Sequence, residues 1–108
     1  MDNKFLIDTR ESQCHCIPLP IPIFTTNNYN FVAYDGREAT LTQKTKLLTK
    51  TSTSILIEFD CYIDNSINND YYHVLLGMNF LDHFVTYDIK PTQIILRTTQ
   101  NVITLERI

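Results

Sequence analysis

Apolar and polar residues alternate along several short stretches of the chain, as they do in half-buried β-strands. The alternation is clearest from 54 to 62, where Ile55, Ile57, Phe59 and Cys61 fall on one face of an extended segment. Isoleucine, valine, threonine, tyrosine and phenylalanine are plentiful, and the chain has only two glycines. The sequence therefore predicts an all-β protein.

Two largely apolar segments predict two more strands, which are expected to be buried. One covers 5–7 and the other covers 71–76, where Gly77 ends it. Beyond Gly77, apolar residues at helical spacing predict one short helix of about two turns over 78–84. Further strands are predicted at 31–34, 37–42, 85–89, 93–98 and 102–106, and the polar stretch 44–53 is expected to continue the second of these into a turn.

Turn-forming residues separate the predicted strands. The pair Asp35-Gly36 between two strand-like runs is the strongest short-range signal of a hairpin, since both central positions of a type I′ turn need positive φ. Alternate prolines within 16–24 remove backbone donors and predict an extended edge or covering segment. The polar clusters at 25–30 and 64–70 predict loops.

The composition is that of a single globular domain spanning 1–108. Apolar residues make up 44% of the chain and charged residues 19%, so it can bury a core. The net charge is -3 and lysine and arginine are scattered, which argues against a nucleic-acid surface. No apolar run is long enough to cross a bilayer, and the first residues do not resemble a signal peptide. We therefore expect a cytoplasmic protein without membrane or nucleic-acid partners.

Three cysteines, Cys14, Cys16 and Cys61, cannot all pair within one chain. In an extended segment Cys14 and Cys16 share one face, and His15 between them takes the other. Free thiols packed as small hydrophobic groups are the first interpretation. A Cys-His-Cys metal cluster is the alternative, but it lacks the usual spacing and a second ligand pair. We therefore expect no metal and no cofactor.

The chemistry of the chain is predicted at the end of its first strand. The run 5–7 leads directly into Asp8 and Thr9, so a packed strand would fix where a carboxylate and a hydroxyl point. We interpret Asp8 as half of a two-carboxylate site. A turn residue at a strand end is the alternative, because aspartate favours such positions. The other candidate aspartates either occupy the predicted turn or lack a following Thr or Ser; they are Asp35, Asp60, Asp64, Asp70, Asp82 and Asp88.

The order of these segments resembles that of the retropepsins, the aspartic proteases of retroviruses, retrotransposons and plant pararetroviruses. Asp8-Thr9 is followed by a hairpin, by Ile-Leu-Ile-Glu-Phe at 55–59 and by Val-Leu-Leu-Gly-Met-Asn-Phe-Leu at 74–81. The last segment is close to the family signature of two apolar residues, Gly, any residue, Asn or Asp, any residue and Leu. The resemblance covers most of the chain, and Asp-Thr-x-x-Ser-x-Cys with a distant Asp-Gly hairpin is closest to the pararetrovirus branch. It implies a retropepsin-like acid-protease half-barrel with a flap hairpin and one short C-terminal helix.

The resemblance implies a role for each residue of the predicted site. Asp8 would be the catalytic aspartate, and the hydroxyl of Thr9 would tie two active-site loops together across a dimer. Ser12 lies where a hydroxyl commonly supports the aspartate loop. Gly77 would let the helix approach the back of that loop. The tip of the flap would consist of Tyr34, Asp35, Gly36 and Arg37.

The third residue of the motif departs from the family pattern, which is Asp-Thr/Ser-Gly. Glycine serves there because the backbone passes close to the substrate and to the partner loop. Arg10 stands in its place, followed by Glu11 where a small residue is usual. A guanidinium there must turn away or fill the cleft, and its charge favours ionised carboxylates. We expect Glu11 to neutralise Arg10 by pairing with it.

The residues and the resemblance together predict an aspartic endopeptidase that processes a viral or retroelement polyprotein, in the host cytoplasm or in a virion. Its substrate would be an extended peptide or polyprotein. The mechanism needs two carboxylates about 3 Å apart that share a proton. The chain supplies one Asp-Thr motif, so two copies must meet as a symmetric homodimer, with the strand at 102–108 expected to build most of the interface. The alternative is a retropepsin-like module that has lost catalysis through Arg10 and persists for dimerisation or peptide binding.

Overall fold

A computed structural model describes residues 4–33, 35–50, 56–68 and 70–106. These residues form nine strands and one short helix, so the prediction of an all-β protein is confirmed. In chain order the elements are β1 (Phe5–Ile7), β2 (Cys14–Cys16), β3 (Phe24–Val32), β4 (Glu38–Lys50), β5 (Leu56–Ile63), β6 (Val74–Leu76), α1 (Met78–Leu81), β7 (Thr86–Ile89), β8 (Gln93–Arg97) and β9 (Val102–Glu106).

Six of the strands form one sheet, in the order β1-β6-β2-β5-β4-β3. Strand β1 runs parallel to β6, with Leu6 opposite Leu75. Strand β2 runs antiparallel to β6, with His15 opposite the same Leu75. The consecutive strands β1 and β2 are therefore separated by β6, and residues 8–13 must cross its C-terminal end to connect them.

The other three strands form an antiparallel sheet in the order β7-β8-β9. Ile94, Leu96 and Ile103 from this sheet belong to one buried cluster with Phe59 of β5 and Phe80 of α1, and all five are at most 5% exposed. The main core is therefore shared by both sheets and the helix. Within the described residues the strands close no barrel.

The prediction of a loop at 25–30 is wrong, because β3 runs through this segment. The pairing of β3 with β4 shifts its register once, between Thr25 and Tyr29. Thr25 faces Gln43 and Tyr29 faces Leu41, so three residues of β3 lie opposite a single residue of β4. Two asparagines occupy this bulge, which explains why the polar composition conceals a strand.

Strands β3 and β4 form the predicted Asp-Gly hairpin, but its loop is one residue longer than the expected type I′ turn. The N–H of Gly36 donates to the C=O of Ala33 at 2.9 Å, and the N–H of Ala33 donates to the C=O of Arg37 at 2.8 Å. Gly36 has a φ of 85°, in the left-handed region that glycine adopts without a steric penalty. Tyr34, predicted at the tip, lies outside the described residues.

Helix α1 has a single turn, shorter than the two turns that the sequence predicts. Beyond Leu81 the chain tightens: the N–H of His83 donates to the C=O of Phe80 and the N–H of Phe84 to that of Leu81, both at 3.1 Å and both three residues back. The tighter turn still brings Phe84 to the core, with its ring centroid 5.3 Å from that of Phe80. The predicted spacing of apolar residues is therefore correct although the helix ends early.

Strand β6 begins at Val74 instead of the predicted 71, whereas the last three strands begin and end within one residue of their predicted positions. The residues 54–55 and 107–108, which the sequence assigns to strands, lie outside the described part of the chain. No helix among the described residues has the length and apolar character needed to cross a membrane.

Candidate functional site

The loop that carries Asp8 is held by main-chain hydrogen bonds to the chain on either side of Gly77. The N–H of Asp8 donates to the C=O of Leu76 at 3.1 Å, one residue beyond the paired part of β1. Three residues later, the C=O of Glu11 accepts from the N–H of Met78 at 2.8 Å. Asp8 therefore lies at the end of a paired strand, in a position fixed by the backbone.

Asn79, in the helix that follows, joins this loop to two strands. Its N–H donates to the C=O of Ser12 at 3.0 Å. Its side-chain Oδ1 accepts from the N–H of Cys14 at 2.7 Å, and its Nδ2 donates to the C=O of Asp60 at 2.8 Å. Both ends of one amide are thus used to bind backbone groups of β2 and β5.

Gly77 makes the closest approach to the back of the loop. A Cβ atom at this residue would lie 2.6 Å from the carbonyl oxygen of Gln13 and 2.7 Å from that of Glu11. Both distances are shorter than a carbon and an oxygen can approach without a clash. The backbone of Gly77 is extended, with φ -98°, so the constraint is the lack of space and not the dihedral angle.

The carboxylate of Asp8 is partly exposed and contacts Arg10. Its Oδ1 accepts from the backbone N–H of Arg10 at 2.9 Å, and the Nε of the Arg10 guanidinium lies 3.5 Å from the same oxygen. The Arg10 side chain is 87% exposed, so it points into solvent beside Asp8 and does not fill the loop. An exposed pair of this kind contributes only about 0.2–1 kcal/mol. Thr9, between the two residues, is also exposed.

Glu11 does not pair with Arg10, which corrects the expectation from the sequence. Its carboxylate accepts a short hydrogen bond from the hydroxyl of Tyr29 on β3, and its Oε1 lies 3.5 Å from Nε2 of His15. The hydroxyl of Tyr29 also lies 3.0 Å from Oγ of Ser12. Ser12 and Glu11 therefore both contact the same residue of the hairpin strand β3.

His15 lies between two carboxylates in the interior. The side chain is 3% exposed, and its Nδ1 lies 3.1 Å from Oδ2 of Asp64. A carboxylate can only accept, so Nδ1 carries a proton. The Nε2 atom has no hydrogen-bond partner among the described residues and faces Glu11. The imidazole packs edge-on against the ring of Phe31, with centroids 4.6 Å apart.

Asp64 is held as an anion by its neighbours. Burial would raise the pKa of Asp64, but hydrogen bonds from His15 and from the hydroxyl and backbone N–H of Ser66 outweigh it and lower that pKa. The hydroxyl of Ser66 donates to Oδ1 at 2.6 Å and the N–H at 2.9 Å. The loop that follows β5 is thereby fixed against His15 of β2.

We expect Asp64→Asn to lower the free energy of unfolding by about 1.5–3 kcal/mol at pH 7, the usual contribution of hydrogen bonds to a charged group. The folded pKa of Asp64 lies below its unfolded value of about 3.9, so this stability is present above that pH and is lost as the pH falls through the folded pKa. Urea unfolding of both proteins between pH 2.5 and 7 measures the difference. A difference that is equally large at both ends would contradict this account.

The three cysteines are free and completely buried. Cys14 and Cys61 lie opposite each other in the parallel pair β2–β5. Hydrogen bonding to Cys14 and Cys16, together with burial, raises the pKa of Cys61. The thiols therefore act as small core groups, as the first interpretation from the sequence has it. Among the described residues, no group of three or more His, Cys, Asp or Glu side chains is arranged to hold a metal ion.

The described residues at the tip of the hairpin are exposed. Nε of Arg37 lies 2.7 Å from Oδ2 of Asp35, and the backbone N–H of Arg37 donates to Oδ1 at 3.1 Å. These hydrogen bonds lower the pKa of Asp35. They stabilise the turn locally, and no hydrogen bond or ion pair joins the described tip residues, Asp35, Gly36 and Arg37, to Asp8.

An apolar groove of about 340 Å³ lies elsewhere in the molecule. It is lined by side chains from both sheets, among them Leu47, Phe59, Leu76 and Leu105. Asp8 is not among its lining residues, so the groove is no part of the predicted site.

The structure thus places Asp8, Ser12 and Gly77 around one loop, and no hydrogen bond or ion pair joins the described residues of the hairpin tip to them. The sequence does not predict Tyr29 and His15, which contact Glu11 of this loop, or Asp64, which binds His15, as site residues. Of these three residues, only His15 could be suspected from the sequence. It lies between Cys14 and Cys16 in an apolar strand, and a histidine buried there must find polar partners.

Comparison with known proteins identifies no relative of this chain. No family model, no curated protein and no solved structure matches the chain.

Proposed function

We propose that the chain is an aspartic endopeptidase of the retropepsin type, active as a homodimer in which each copy contributes Asp8. The observation that carries the proposal is the path of the Asp8 loop. It crosses the end of β6 between two strands that are not neighbours, and main-chain hydrogen bonds hold it against Gly77. A carboxylate on such a loop is both accessible and rigidly placed, which catalysis requires.

The proposed chemistry needs two such carboxylates. One Asp8 activates a water molecule as a general base, and the Asp8 of the second copy carries the proton that is given to the carbonyl oxygen of the peptide. Both groups must lie about 3 Å apart to share that proton. A two-fold axis beside the loop meets this requirement with one motif per chain.

The substrate that fits this arrangement is an extended peptide, such as a segment of a polyprotein. The β3–β4 hairpin would cover it and bind its backbone as a neighbouring strand does, while excluding water from the carboxylates. We place such a protein in the host cytoplasm or in a virion, with no metal or cofactor.

A second function is favoured by the contact between Arg10 and Asp8. The guanidinium lies beside one oxygen of the carboxylate and places a positive charge where the proposed mechanism needs two acids to share a proton. On this account the chain is a module without catalysis that dimerises or binds peptides.

The test of the main proposal is cleavage of a pool of synthetic peptides about ten residues long at mildly acidic pH, with products identified by mass spectrometry. We expect cleavage that pepstatin blocks and whose rate per chain rises with protein concentration, because only dimers cut. Inert wild-type protein, or a rate per chain that does not depend on concentration, would contradict the proposal.

Replacing Arg10 by glycine separates the two functions. If the wild type cuts, loss of the exposed Arg10–Asp8 ion pair is expected to raise the rate only about 1.4- to 5-fold, because an exposed pair contributes little free energy. If the wild type is inert and Arg10→Gly cuts, the second hypothesis is supported: the natural chain is a module without catalytic activity. Arg97→Ala, which breaks the Arg97–Asp88 pair on the second sheet, is the matched control and leaves the rate unchanged.

A further inference from the structure

The hairpin and the Asp8 loop are joined by a small set of polar side chains that the proposed mechanism does not use. Among the described strands, β3 is the outermost of its sheet and pairs only with β4. Strand β4 pairs with β5 only from Lys44 onward, so the part of the hairpin that holds Tyr29 and Phe31 has no further strand neighbour, and side chains connect it to the loop. Two residues of β3 make these contacts. Tyr29 contacts Glu11 and Ser12, and Phe31 packs against His15.

Glu11 occupies the centre of this connection. Its backbone is part of the loop, since its N–H donates to the C=O of Asp8 at 3.3 Å. Its side chain is 12% exposed and accepts hydrogen bonds from the hydroxyl of Tyr29 and from the N–H of Gln13, the latter at 3.4 Å. A carboxylate removed from water to this degree needs such donors to remain there.

Tyr29 is held just as firmly on the side of the hairpin. Its ring stacks on that of Tyr62, with centroids 4.8 Å apart, and lies nearly parallel to Phe31 at 5.9 Å. Burial and the hydrogen bond to Glu11 raise the pKa of Tyr29 to about 12, so the hydroxyl remains a donor at neutral pH. The bulge that precedes Tyr29 shifts the register of β3 against β4.

We propose that Glu11 is a positioning residue, whose carboxylate holds the β3–β4 hairpin at a set distance from the loop that carries Asp8. This inference rests on the proposed protease function. A substrate lying between the hairpin and Asp8 would be placed by this connection, and an error of about 1 Å in such placement reduces the rate about 100-fold. Glu11 itself does not contact the substrate.

The experiment compares Glu11→Ala, Glu11→Gln, Tyr29→Phe and the double variant Glu11→Ala/Tyr29→Phe. For Glu11→Ala and Tyr29→Phe we expect kcat to fall about 10- to 100-fold with a smaller change in KM, because the peptide still binds but is misplaced. Glu11→Gln keeps an oxygen acceptor for the hydroxyl and is expected to retain most of the activity. The double variant should be no worse than the poorer single variant, since both remove one connection.

A second measurement does not depend on cleavage. Hydrogen exchange of the amides of β3 is expected to be roughly 2- to 10-fold faster in Glu11→Ala and Tyr29→Phe than in the wild type, with little change in β8. Glu58→Ala, on an exposed face of β5, and Tyr87→Phe, on β7, are the matched controls and should change neither kcat nor exchange in β3.

The outcomes are distinguishable. Cleavage that persists in Asp8→Asn, or a wild type that cuts nothing, overturns the protease function and with it the effect on kcat; hydrogen exchange then decides alone whether Glu11 holds the hairpin. A wild type that cuts through Asp8 while Glu11→Ala and Tyr29→Phe keep its kcat and its exchange rates overturns the positioning role. Additive losses in the double variant do so too, because the two residues would then act separately.

Discussion

Asp8→Asn is expected to lower the rate of peptide cleavage by about 10²–10⁴-fold, the usual contribution of a general acid or base. Asparagine matches aspartate in size and can still accept from the N–H of Arg10, so the loop keeps its path. It cannot take up a proton from water or give one to the carbonyl oxygen. The measurement is the initial rate on one identified peptide. Asp82→Asn, an exposed aspartate after the helix, is the matched control and keeps the wild-type rate.

Mixtures of wild type and Asp8→Asn test whether two copies share one site. If each site needs an Asp8 from both chains and the chains exchange freely, the active fraction is the square of the wild-type fraction. An equal mixture at constant total concentration would then have about one quarter of the wild-type rate. A value near one half would mean that each chain acts alone, which contradicts the homodimeric mechanism.

Gly77→Ala is expected to lower the free energy of unfolding by about 3 kcal/mol, the upper end of the usual cost of overpacking. The added Cβ would lie 2.6 Å from the carbonyl oxygen of Gln13 and 2.7 Å from that of Glu11. Both obstacles are backbone atoms, which cannot move aside as a flexible side chain can. Denaturant unfolding measures the loss of stability. Among the segments of the variant, the Asp8 loop should show the largest increase in amide hydrogen-exchange rate.

Gly36→Ala is the informative comparison for this prediction. Nothing lies within 4 Å of a Cβ at this residue, but its φ of 85° is unfavourable for alanine. We expect a loss of about 1–2 kcal/mol from the left-handed backbone alone. If Gly77→Ala were as stable as the wild type, the close packing of the helix against the loop would not be a constraint on this fold.

The sequence predicts the strands well where one face is buried. Ile57, Phe59 and Cys61 are buried in alternation along β5, because a period of two is a direct consequence of strand geometry. The sequence-based prediction fails at β3. A polar bulge separates the inward residues Tyr29 and Phe31 from the start of this strand. Pairing with β4 over a distance in sequence overrides the local preference for a loop.

The candidate site is divided in the same way. Asp8 and Gly77 could be singled out from the sequence because each directly follows an apolar strand-like run, at 5–7 and 74–76. The partners Tyr29, His15 and Asp64 could not, since they come from three separate segments and meet only through the order of strands in the sheet. The expected Glu11–Arg10 pair is wrong for a related reason: the partly buried hydroxyl of Tyr29 donates to Glu11, whereas Arg10 points into solvent.

The main-chain anchoring of the loop bears on how such a sequence can vary over time. The bonds that fix its path use the N–H of Asp8 and the carbonyls of Glu11 and Ser12, which every amino acid type at these positions supplies, proline at 8 excepted. The side chain of Arg10 points into solvent, so the residue type at position 10 can change without displacing the aspartate. Residue 77 has no such freedom, because a Cβ there would clash with backbone atoms. We therefore expect this protein to tolerate substitutions at residue 10 better than substitutions at residue 77.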